Sequence, residues 1–346
     1  MKSFLSLKSL IVTMLIGCSI IFTYITLTPL LMKAQTLTIF DNKYLFLYSN
    51  PFKNNTYIIS TDDGRSFHKT TYDINDTPSL IRNHNNELIL PAEHISKKYI
   101  VKDDYSISEQ SQEAPYSFLI DLQDILIEGL NVSYAENLLR VNDRKMNKTY
   151  KIKLPAYLAN ATYDQNNIYV LNYNTTTEKN EIHIINRTTG TLTHSYIISE
   201  GATEMLVVND YLFLSTDNSL TKLDIRSGKI EYIKYPSNVA FADTLYLDQN
   251  NDLFVCFVDF SGNAGLLILN KNYNSIDKNI NLNLGYMKSK FEKNKLYILS
   301  QMKDHTEDGA KFAVVDLRSL KIEQTFQLPV LDTKVQDFLV LDETQT

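Results

Sequence analysis

Short stretches of alternating apolar and polar residues, separated by turn-forming residues, run through most of the chain. The clearest example is residues 211–235, in which three alternating segments, 211–215, 220–225 and 229–235, are joined by short breaks, one of them an Arg-Ser-Gly turn at 226–228. Alternation with a period of two places successive side chains on opposite faces of a strand, and the glycine marks a turn. The stretch therefore predicts three strands of an antiparallel meander.

This pattern recurs along the chain. The turn that begins at Asp224 has counterparts at Asn186 and Asp316, and comparable turns follow predicted strands elsewhere. The seven turns fall near residues 60, 102, 142, 186, 224, 270 and 316, at steps of 38 to 46 residues. Four short strands per repeat of about 40–45 residues are typical of a β-propeller, whereas leucine-rich repeats recur every 20–29 residues. The sequence therefore predicts an all-β fold, a seven-bladed β-propeller of four-stranded antiparallel blades.

A strand left over at the carboxyl end predicts how the ring closes. Innermost strands are expected between the repeats, at residues 118–122, 204–208, 242–247 and 287–291. Residues 335–341 follow the seventh repeat with the same pattern, so they can complete the first blade and remove its open edge. Residues 36–40 are the other candidate for that position. No stretch beyond the amino-terminal segment has the spacing of a long amphipathic helix, so folds that combine helices and strands are not expected. The alternative to a propeller is therefore another all-β fold, a β-sandwich or a pair of smaller β domains.

The amino-terminal segment predicts a membrane anchor. Lys2 and Lys8 precede residues 9–32, which carry no charge and are long enough to cross a hydrocarbon core about 30 Å thick. Lysines before the span and a large domain after it predict that the carboxyl end lies outside the cell. We therefore expect a signal anchor or signal peptide at residues 1–33 and a propeller domain at 34–346, held by one transmembrane helix on the extracytoplasmic side of a bacterial cell membrane.

Two other outcomes remain open for this segment. Residues 15–18, Leu-Ile-Gly-Cys, resemble a bacterial lipobox in which Cys18 would carry the lipid, and cleavage near Ala34 would release the domain. Cys18 and Cys256 are the two cysteines of the chain, so the exported domain has no pair from which to form a disulfide. Cys256 lies in an apolar segment and is predicted to be a buried, unreactive thiol.

Three of the turns resemble those of YVTN-type and quinoprotein-like β-propeller repeats, in which a strand ends in Asp or Asn before a Ser/Thr-Gly-Lys turn. Residues 185–190, 223–229 and 315–321 carry the resemblance, which extends over roughly residues 35–343. Residues 60–67, STDDGRSF, also resemble one Asp-box, a turn motif that lies away from the active site in sialidase-like propellers. An ordinary Asp-Gly hairpin turn is the other interpretation of that segment. These short motifs imply the fold and no particular activity.

The composition argues against several classes of function. A net charge of −6 disfavours a nucleic-acid partner, which needs clustered Lys and Arg. The chain has no Trp, the residue on which quinoprotein dehydrogenases pack their cofactor, and no glycine-rich phosphate loop. It has seven arginines, most of them at predicted outer turns, so the cluster of three that a sialidase needs is not expected. We predict no cofactor, no metal site and no catalytic residue.

Candidate ligand-binding residues lie in predicted loops between second and third strands. The acidic loop of the seventh repeat supplies four of them: Asp304, His305, Glu307 and Asp308. Their oxygen atoms could bind Ca²⁺, but the loop lacks a complete ligand pattern, so an acidic loop in solvent is the favoured interpretation. The loop of the second repeat contains Glu93 and His94, which could face the acidic loop across a funnel.

The predicted function is recognition at the cell envelope. A rigid ring presents many variable loops, and these loops would bind a protein, a peptide or a glycan. The loops that vary most between repeats are residues 50–55, 92–97, 172–179, 259–265 and 301–309. The alternative is a propeller enzyme of lyase or hydrolase type with its active site in the funnel. A third hypothesis is a purely structural component of an envelope complex.

Overall fold

A computed structural model describes residues 38–133, 136–155, 157–198, 201–301 and 309–341. These residues form twenty-eight β-strands and one short 3₁₀ helix, Ile39–Asp41. The first fifteen strands are β1 Tyr44–Asn50, β2 Lys53–Thr61, β3 His68–Tyr72, β4 Ile81–Arg82, β5 Leu88–Pro91, β6 Lys97–Val101, β7 Ile107–Ser111, β8 Tyr116–Asp121, β9 Ile125–Leu130, β10 Glu136–Asp143, β11 Lys148–Pro155, β12 Tyr157–Tyr163, β13 Asn167–Asn174, β14 Lys179–Asn186 and β15 Leu192–Ile198. The remaining strands are β16 Ala202–Val208, β17 Tyr211–Thr216, β18 Ser219–Asp224, β19 Ile230–Lys234, β20 Val239–Leu247, β21 Leu253–Asp259, β22 Asn263–Leu269, β23 Ile276–Gly285, β24 Lys288–Glu292, β25 Lys295–Gln301, β26 Ala310–Asp316, β27 Lys321–Gln327 and β28 Val335–Val340.

The strands form seven antiparallel sheets of four strands each, which are the blades of a β-propeller. Blade 1 has the strand order β28-β1-β2-β3, and blades 2 to 7 each contain four consecutive strands, from β4–β7 to β24–β27. The predicted seven-bladed all-β propeller is confirmed, and the alternative of a sandwich or of two smaller domains is wrong.

Strand β28 closes the ring. It pairs with β1 from Val335, which lies opposite Tyr48, to Val340, which lies opposite Tyr44. Strand β28 is therefore the innermost strand of blade 1, and the described part of the other candidate, residues 38–40, does not fill that position. Ile39 is instead fully buried in the apolar cluster that contains Leu45 and Leu88 of the first two blades.

Two innermost strands gave no recognisable pattern in the sequence. Strand β4 is two residues long, which is too short for an alternation to register. Strand β12 alternates poorly because its pairing with β13 shifts between Leu158 and Asn160, so Ala159 is an extra residue. An extra residue of this kind is a β-bulge, and it reverses the side-chain alternation beyond it.

The recurrent turns work as the resemblance implies. Asp224 and Asn186 each accept hydrogen bonds from the backbone N–H groups two and three residues further on. Gly228 then adopts a φ of 72°, a left-handed conformation that glycine takes without steric cost. In the third copy, after Asp316, Leu320 occupies the equivalent position with a φ of 56°. The third turn therefore keeps the left-handed conformation although leucine replaces glycine at that position.

The segment that resembles an Asp-box is the turn between β2 and β3. The Asp63 carboxylate accepts the backbone N–H of Arg65 at 2.8 Å. Gly64 has a φ of 74° and lies against Phe326 of blade 7, where an added Cβ would come within 2.1 Å of the ring. The turn joins the two outer strands of blade 1 and therefore lies away from the innermost strands.

The core consists of apolar layers between neighbouring blades. Between blades 7 and 1, Phe46, Phe312 and Phe338 are fully buried. The ring centroid of Phe312 lies 5.0 Å from that of Phe46 and 5.1 Å from that of Phe338, and both pairs are edge-to-face. Such pairs add to the free energy gained from burying their area. Each blade has two apolar faces, so every blade needs a neighbour on both sides.

No helix in the described part of the chain is long and apolar enough to cross a membrane. The predicted anchor, residues 9–32, and the lipidation candidate Cys18 lie outside the described residues. The division into an anchor and a propeller domain remains a prediction.

Replacing Phe338 by alanine tests ring closure. We expect Phe338→Ala to lower the free energy of unfolding by about 3–5 kcal/mol, because it leaves a cavity in the layer that joins β28 to blade 7. The measurement is denaturant-induced unfolding of the full chain. Ile322→Ala, on the outermost strand β27 and 44 % exposed, is the control and should change stability by about 0.5 kcal/mol or less. A Phe338→Ala effect as small as the control would contradict the closure role of β28.

Candidate functional site

Five of the seven innermost strands contain an extra residue in their pairing with the next strand. The extra residues are Ser117 in β8, Ala159 in β12, Thr203 in β16 and Gln336 in β28, together with Ala240 and one of the pair Asp243 and Thr244 in β20. Bulges disturb the alternation of side chains and are frequent beside functional sites, where they re-aim particular groups. Among the bulged strands, β16, β20 and β28 carry the carboxylates Glu204, Asp243 and Asp337, whereas Lys288 and Lys290 lie on β24, whose pairing has no shift. We call Glu204, Asp243, Lys288, Lys290 and Asp337 the channel cluster.

The carboxylate of Asp337 is the most heavily bonded group of the channel cluster. Its Oδ1 lies 3.0 Å from Lys288 Nζ and 2.8 Å from Lys290 Nζ, while its Oδ2 accepts the backbone N–H of Leu80 at 2.8 Å. The side chain is only 3 % exposed. Burial acts to raise the pKa of Asp337, but the two lysines and the Leu80 N–H hold it below its usual value. Asp337 is therefore ionised and binds two ammonium groups.

The lysines remain accessible from the channel. About a third of each side chain is exposed, 34 % for Lys288 and 30 % for Lys290. Lys290 Nζ also donates to the Phe338 carbonyl, and the ammonium lies 5.1 Å from the centroid of the Phe338 ring. Burial nevertheless lowers the pKa of Lys290, with Asp337 opposing that shift. The Lys290 ammonium is therefore partly desolvated, although about a third of the side chain is exposed.

A cavity of about 500 Å³ adjoins the lysines. Residues of the innermost strands of blades 7, 1, 2 and 3 line it, together with the residues at the start of the loop between β5 and β6. Its polar lining includes Lys288, Lys290, Asp337, Glu93 and Ser117. The cavity lies at the end of the channel that carries the loops between second and third strands. Its volume is in the range of small-molecule sites.

The other side of the channel cluster carries carboxylates. Burial raises the pKa of Glu204 to about 7, and the nearby charge of Asp243 contributes to the shift. Burial also raises the pKa of Asp243, although a hydrogen bond from the Tyr286 hydroxyl and the charge of Lys288 oppose this. No cation of the described residues forms an ion pair with Glu204 or Asp243. Glu204 is thus poised to exchange a proton near neutral pH.

Hydrogen bonds connect blades 4, 5 and 6 at their inner strands, with Ser215 contributed by β17, the second strand of blade 5. Asn160 Nδ2 donates to the Thr203 carbonyl at 3.3 Å. Ser215 Oγ lies 2.9 Å from Thr203 Oγ1 and donates to the Asp243 carbonyl at 2.7 Å. The bond to the Asp243 carbonyl crosses from blade 5 to blade 6, and the Asn160 bond crosses from blade 4 to blade 5. These bonds hold the bulged strands in a fixed relation around the channel.

The two candidate residues of the second repeat lie in the predicted loop, between β5 and β6. His94 Nδ1 lies 2.6 Å from Asp76 Oδ1, and the His94 backbone N–H donates to the other oxygen of Asp76 at 2.7 Å. The hydrogen bond to Asp76 raises the pKa of His94, whose side chain is 66 % exposed. Glu93 is exposed and borders both the channel cavity and a smaller cavity of about 170 Å³ that His94 also lines. The structure thus places Glu93 at the mouth of the channel, with His94 fixed beside it.

The other four candidates, Asp304, His305, Glu307 and Asp308, lie outside the described residues, so their position relative to Glu93 is untested. Within the ranges that the structure describes, no group of three or more His, Cys, Asp or Glu side chains could hold a metal ion. Cys256 is fully buried as predicted, and burial raises the pKa of its thiol to about 12. A thiol with so high a pKa is a poor nucleophile.

One arginine at the outer turns points inwards. Arg187 is 1 % exposed and lies between blades 3 and 4, where its Nε donates to Asp143 at 2.7 Å. Its guanidinium also lies over the ring of Tyr163 at 4.9 Å. Arg187 therefore links two blades.

The channel cluster was missed in the sequence, although a signal for it existed. Its five members all lie in segments predicted to be innermost strands, where a charged residue interrupts an apolar pattern. Charged side chains are rarely buried unless they are paired. A charge within an inner strand is therefore a pointer to the channel, and several such charges on different repeats point to a shared site.

Comparison with known proteins supports the fold. No protein-family model matches the chain. A relative, the uncharacterised protein YeeG of Bacillus subtilis, is 29 % identical over 305 residues, which is 87 % of each chain. Among solved structures, Sqt1 of Saccharomyces cerevisiae is similar with a TM-score of 0.56 at 10 % identity, over 86 % of this chain and 88 % of Sqt1.

Two further structures are similar to this chain. A functionally unknown protein from Desulfotomaculum acetoxidans has a TM-score of 0.55 at 11 % identity, over 84 % of this chain and 98 % of its own. Virginiamycin B lyase from Staphylococcus aureus has a TM-score of 0.52 at 12 % identity, over 73 % and 84 %. The chain is a β-propeller protein. The likeness to YVTN-type and quinoprotein-like repeats is thereby confirmed at the level of the fold, and identities this low carry no information about activity.

The raised pKa of Glu204 predicts how stability depends on pH. A carboxyl group with a pKa of about 7 in the folded chain and 4.5 in the unfolded chain stabilises the fold below pH 4.5, and this contribution is lost as the pH rises through 7. We expect Glu204→Gln to remove that loss. Between pH 4.5 and pH 8 the wild-type chain should lose about 3 kcal/mol of unfolding free energy relative to the variant.

The measurement is denaturant-induced unfolding at several pH values. The control is Glu178→Gln in the exposed loop between β13 and β14, which should follow the wild type at every pH. Identical pH profiles for the wild type and Glu204→Gln would show that Glu204 ionises normally.

Proposed function

We propose that this propeller is an extracytoplasmic binding module, tethered to the cell membrane by its amino-terminal segment. It binds its protein, peptide or glycan ligand through a group that enters the mouth of the central channel. The cavity of about 500 Å³, with two accessible lysines on one wall, is the observation that carries this proposal. Concave sites with a few convergent polar groups are the usual form of ligand sites.

The position of the cavity supports recognition. Glu93 and Pro91 border it, and both adjoin the loop between β5 and β6. A ligand in the cavity would therefore contact the loops between second and third strands, which vary most between the repeats. This arrangement suits a recognition role, because the fixed channel would anchor one group of the ligand and the variable loops would surround the rest.

A photo-crosslinking residue at position 93 tests the binding site in intact cells. We expect covalent adducts of defined mass when the residue replaces Glu93, because the ligand passes this position at the channel mouth. The same substitution at Tyr232, on the outer strand β19 and 43 % exposed, is the control and should give none of these adducts. Adding Lys288→Met should abolish the adducts at position 93. Adducts that are equal at both positions, or insensitive to Lys288→Met, would contradict a channel site.

The location of the domain is tested separately. We expect protease added to intact cells to degrade the propeller, since the anchor places it outside the membrane. Mass analysis of the amino terminus of the membrane-bound protein distinguishes a retained anchor from a lipidated Cys18 or a cleaved chain. Protection of the domain in intact cells, together with its digestion after lysis, would contradict the proposed location.

A second candidate function, a lyase-type enzyme, is favoured by one observation. Glu204 has a pKa of about 7 beside Asp243, and a general base works best with a pKa near the operating pH. Virginiamycin B lyase is a solved structure with the same fold. The experiment incubates wild-type and Glu204→Gln protein with cell-envelope extract and compares the small molecules by mass spectrometry. Compounds consumed by the wild type and untouched by the variant would support this candidate, whereas identical profiles would exclude a role for Glu204 as a base.

A further inference from the structure

We propose that the group bound in the channel is a compact oxyanion, a carboxylate or a phosphate, held by Lys288 and Lys290. The inference rests on the proposed binding function of the same cavity and names the chemistry of its ligand. It follows from the charges and the hydrogen-bonding capacity of the described side chains.

The charges do not balance on this side of the channel. Lys288 and Lys290 both contact the same atom, Asp337 Oδ1, at 3.0 and 2.8 Å. No other carboxylate among the described residues lies within ion-pair distance of either ammonium, so two positive charges share one negative charge. Asp243 influences Lys288 only from a greater distance. One further negative charge would neutralise the lysine pair.

The hydrogen-bond donors are also incompletely used. Each ammonium has three N–H donors. In the described structure Lys290 uses two, on Asp337 and on the Phe338 carbonyl, and Lys288 uses one, on Asp337. The Oδ1 atom of Asp337 is already crowded, because it also accepts the Phe338 backbone N–H, while Oδ2 accepts the Leu80 N–H. Three charged donors therefore remain for a ligand or for solvent.

Glu93 at the mouth sets a limit on the ligand. Its carboxylate borders the cavity and repels anions, so the bound group must reach past the mouth to the lysines. A compact oxyanion on a neutral carrier meets this condition better than a polyanion does. Carboxylates and phosphates are equally suited to accept charged N–H donors, so the experiment separates them.

The test measures the unfolding temperature of the full-length protein in detergent while sodium phosphate or sodium acetate replaces sodium chloride at constant ionic strength. We expect a saturable rise with at least one of the two anions, because a ligand that binds only the folded state stabilises it. A rise with phosphate alone identifies a phosphate site, and a rise with acetate alone identifies a carboxylate site. Absence of a rise with both would overturn the proposal.

Variants show whether the lysine pair is responsible. Losing one charged hydrogen bond should weaken the apparent affinity of Lys288→Met at least about tenfold. Lys288→Arg should retain most of the response because it keeps the charge. Lys321→Met, on the exposed outer strand β27, is the control and should respond as the wild type does. An unchanged affinity in Lys288→Met would show an ordinary salt effect and contradict the proposal.

Failure of this inference differs from failure of the binding function. If neither anion stabilises the protein but crosslinked adducts still form at position 93, the cavity binds a ligand of other chemistry. If anions stabilise the wild type through Lys288 but no adducts form, the anion site stands and the recognition role fails. Should Lys288→Met not fold, Lys288→Gln takes its place, because it also removes the charge, and an unchanged anion affinity in that variant would count against the site.

Discussion

The structure depends on one constraint, that every blade must have a neighbour on each of its two apolar faces. A four-stranded blade with an uncovered face would expose side chains such as Phe46 and Phe312 to water, at a cost of about 25 cal/mol for each Å² of apolar surface. Strand β28 satisfies the constraint for blades 1 and 7 at once. It pairs with β1 and adds Phe338 to the apolar layer against blade 7. No disulfide joins the described residues, in which Cys256 is free, so closure depends on this pairing and packing.

The same strand connects closure to the candidate site. Asp337 precedes Phe338 and receives Lys288 and Lys290 from blade 7 and the Leu80 N–H from the segment that leads into blade 2. One carboxylate therefore joins three blades at the channel, while the next residue joins two of them in the core. Ring closure and assembly of the lysine pair are consequently a single event, because the carboxylate reaches the lysines only when β28 is in register with β1. Anything bound to the lysines would in turn favour the closed ring.

The fold could be predicted in large part from the sequence, and the site could not. A repeat such as residues 223–229 can be recognised from neighbouring residues alone, because alternation and a turn are both set by the local sequence. The spacing of these repeats therefore gave the number of blades. Strand β4 was missed because two residues show no period, and β12 because the bulge at Ala159 reverses its alternation. The pairing of Lys290 with Asp337 depends on the register of ring closure, which no local pattern encodes. Glu93 was found because it lies in a variable loop, but the cavity that it borders depends on three other blades.

The charged channel is not explained by stability. Replacing buried ion pairs by well-packed apolar residues is often neutral or stabilising, since desolvation offsets much of the Coulomb attraction. Seven equivalent innermost strands could pack their channel with apolar side chains, as the neighbouring layers do. This chain instead has lysines on blade 7, a paired carboxylate on blade 1, and two carboxylates of raised pKa on blades 5 and 6. The seven blades repeat one backbone pattern, but these charged residues differ from blade to blade. One side of the channel therefore carries ammonium groups and another side carries carboxyl groups. A directional charge pattern in a rigid ring would orient a charged ligand, as the proposed binding function requires.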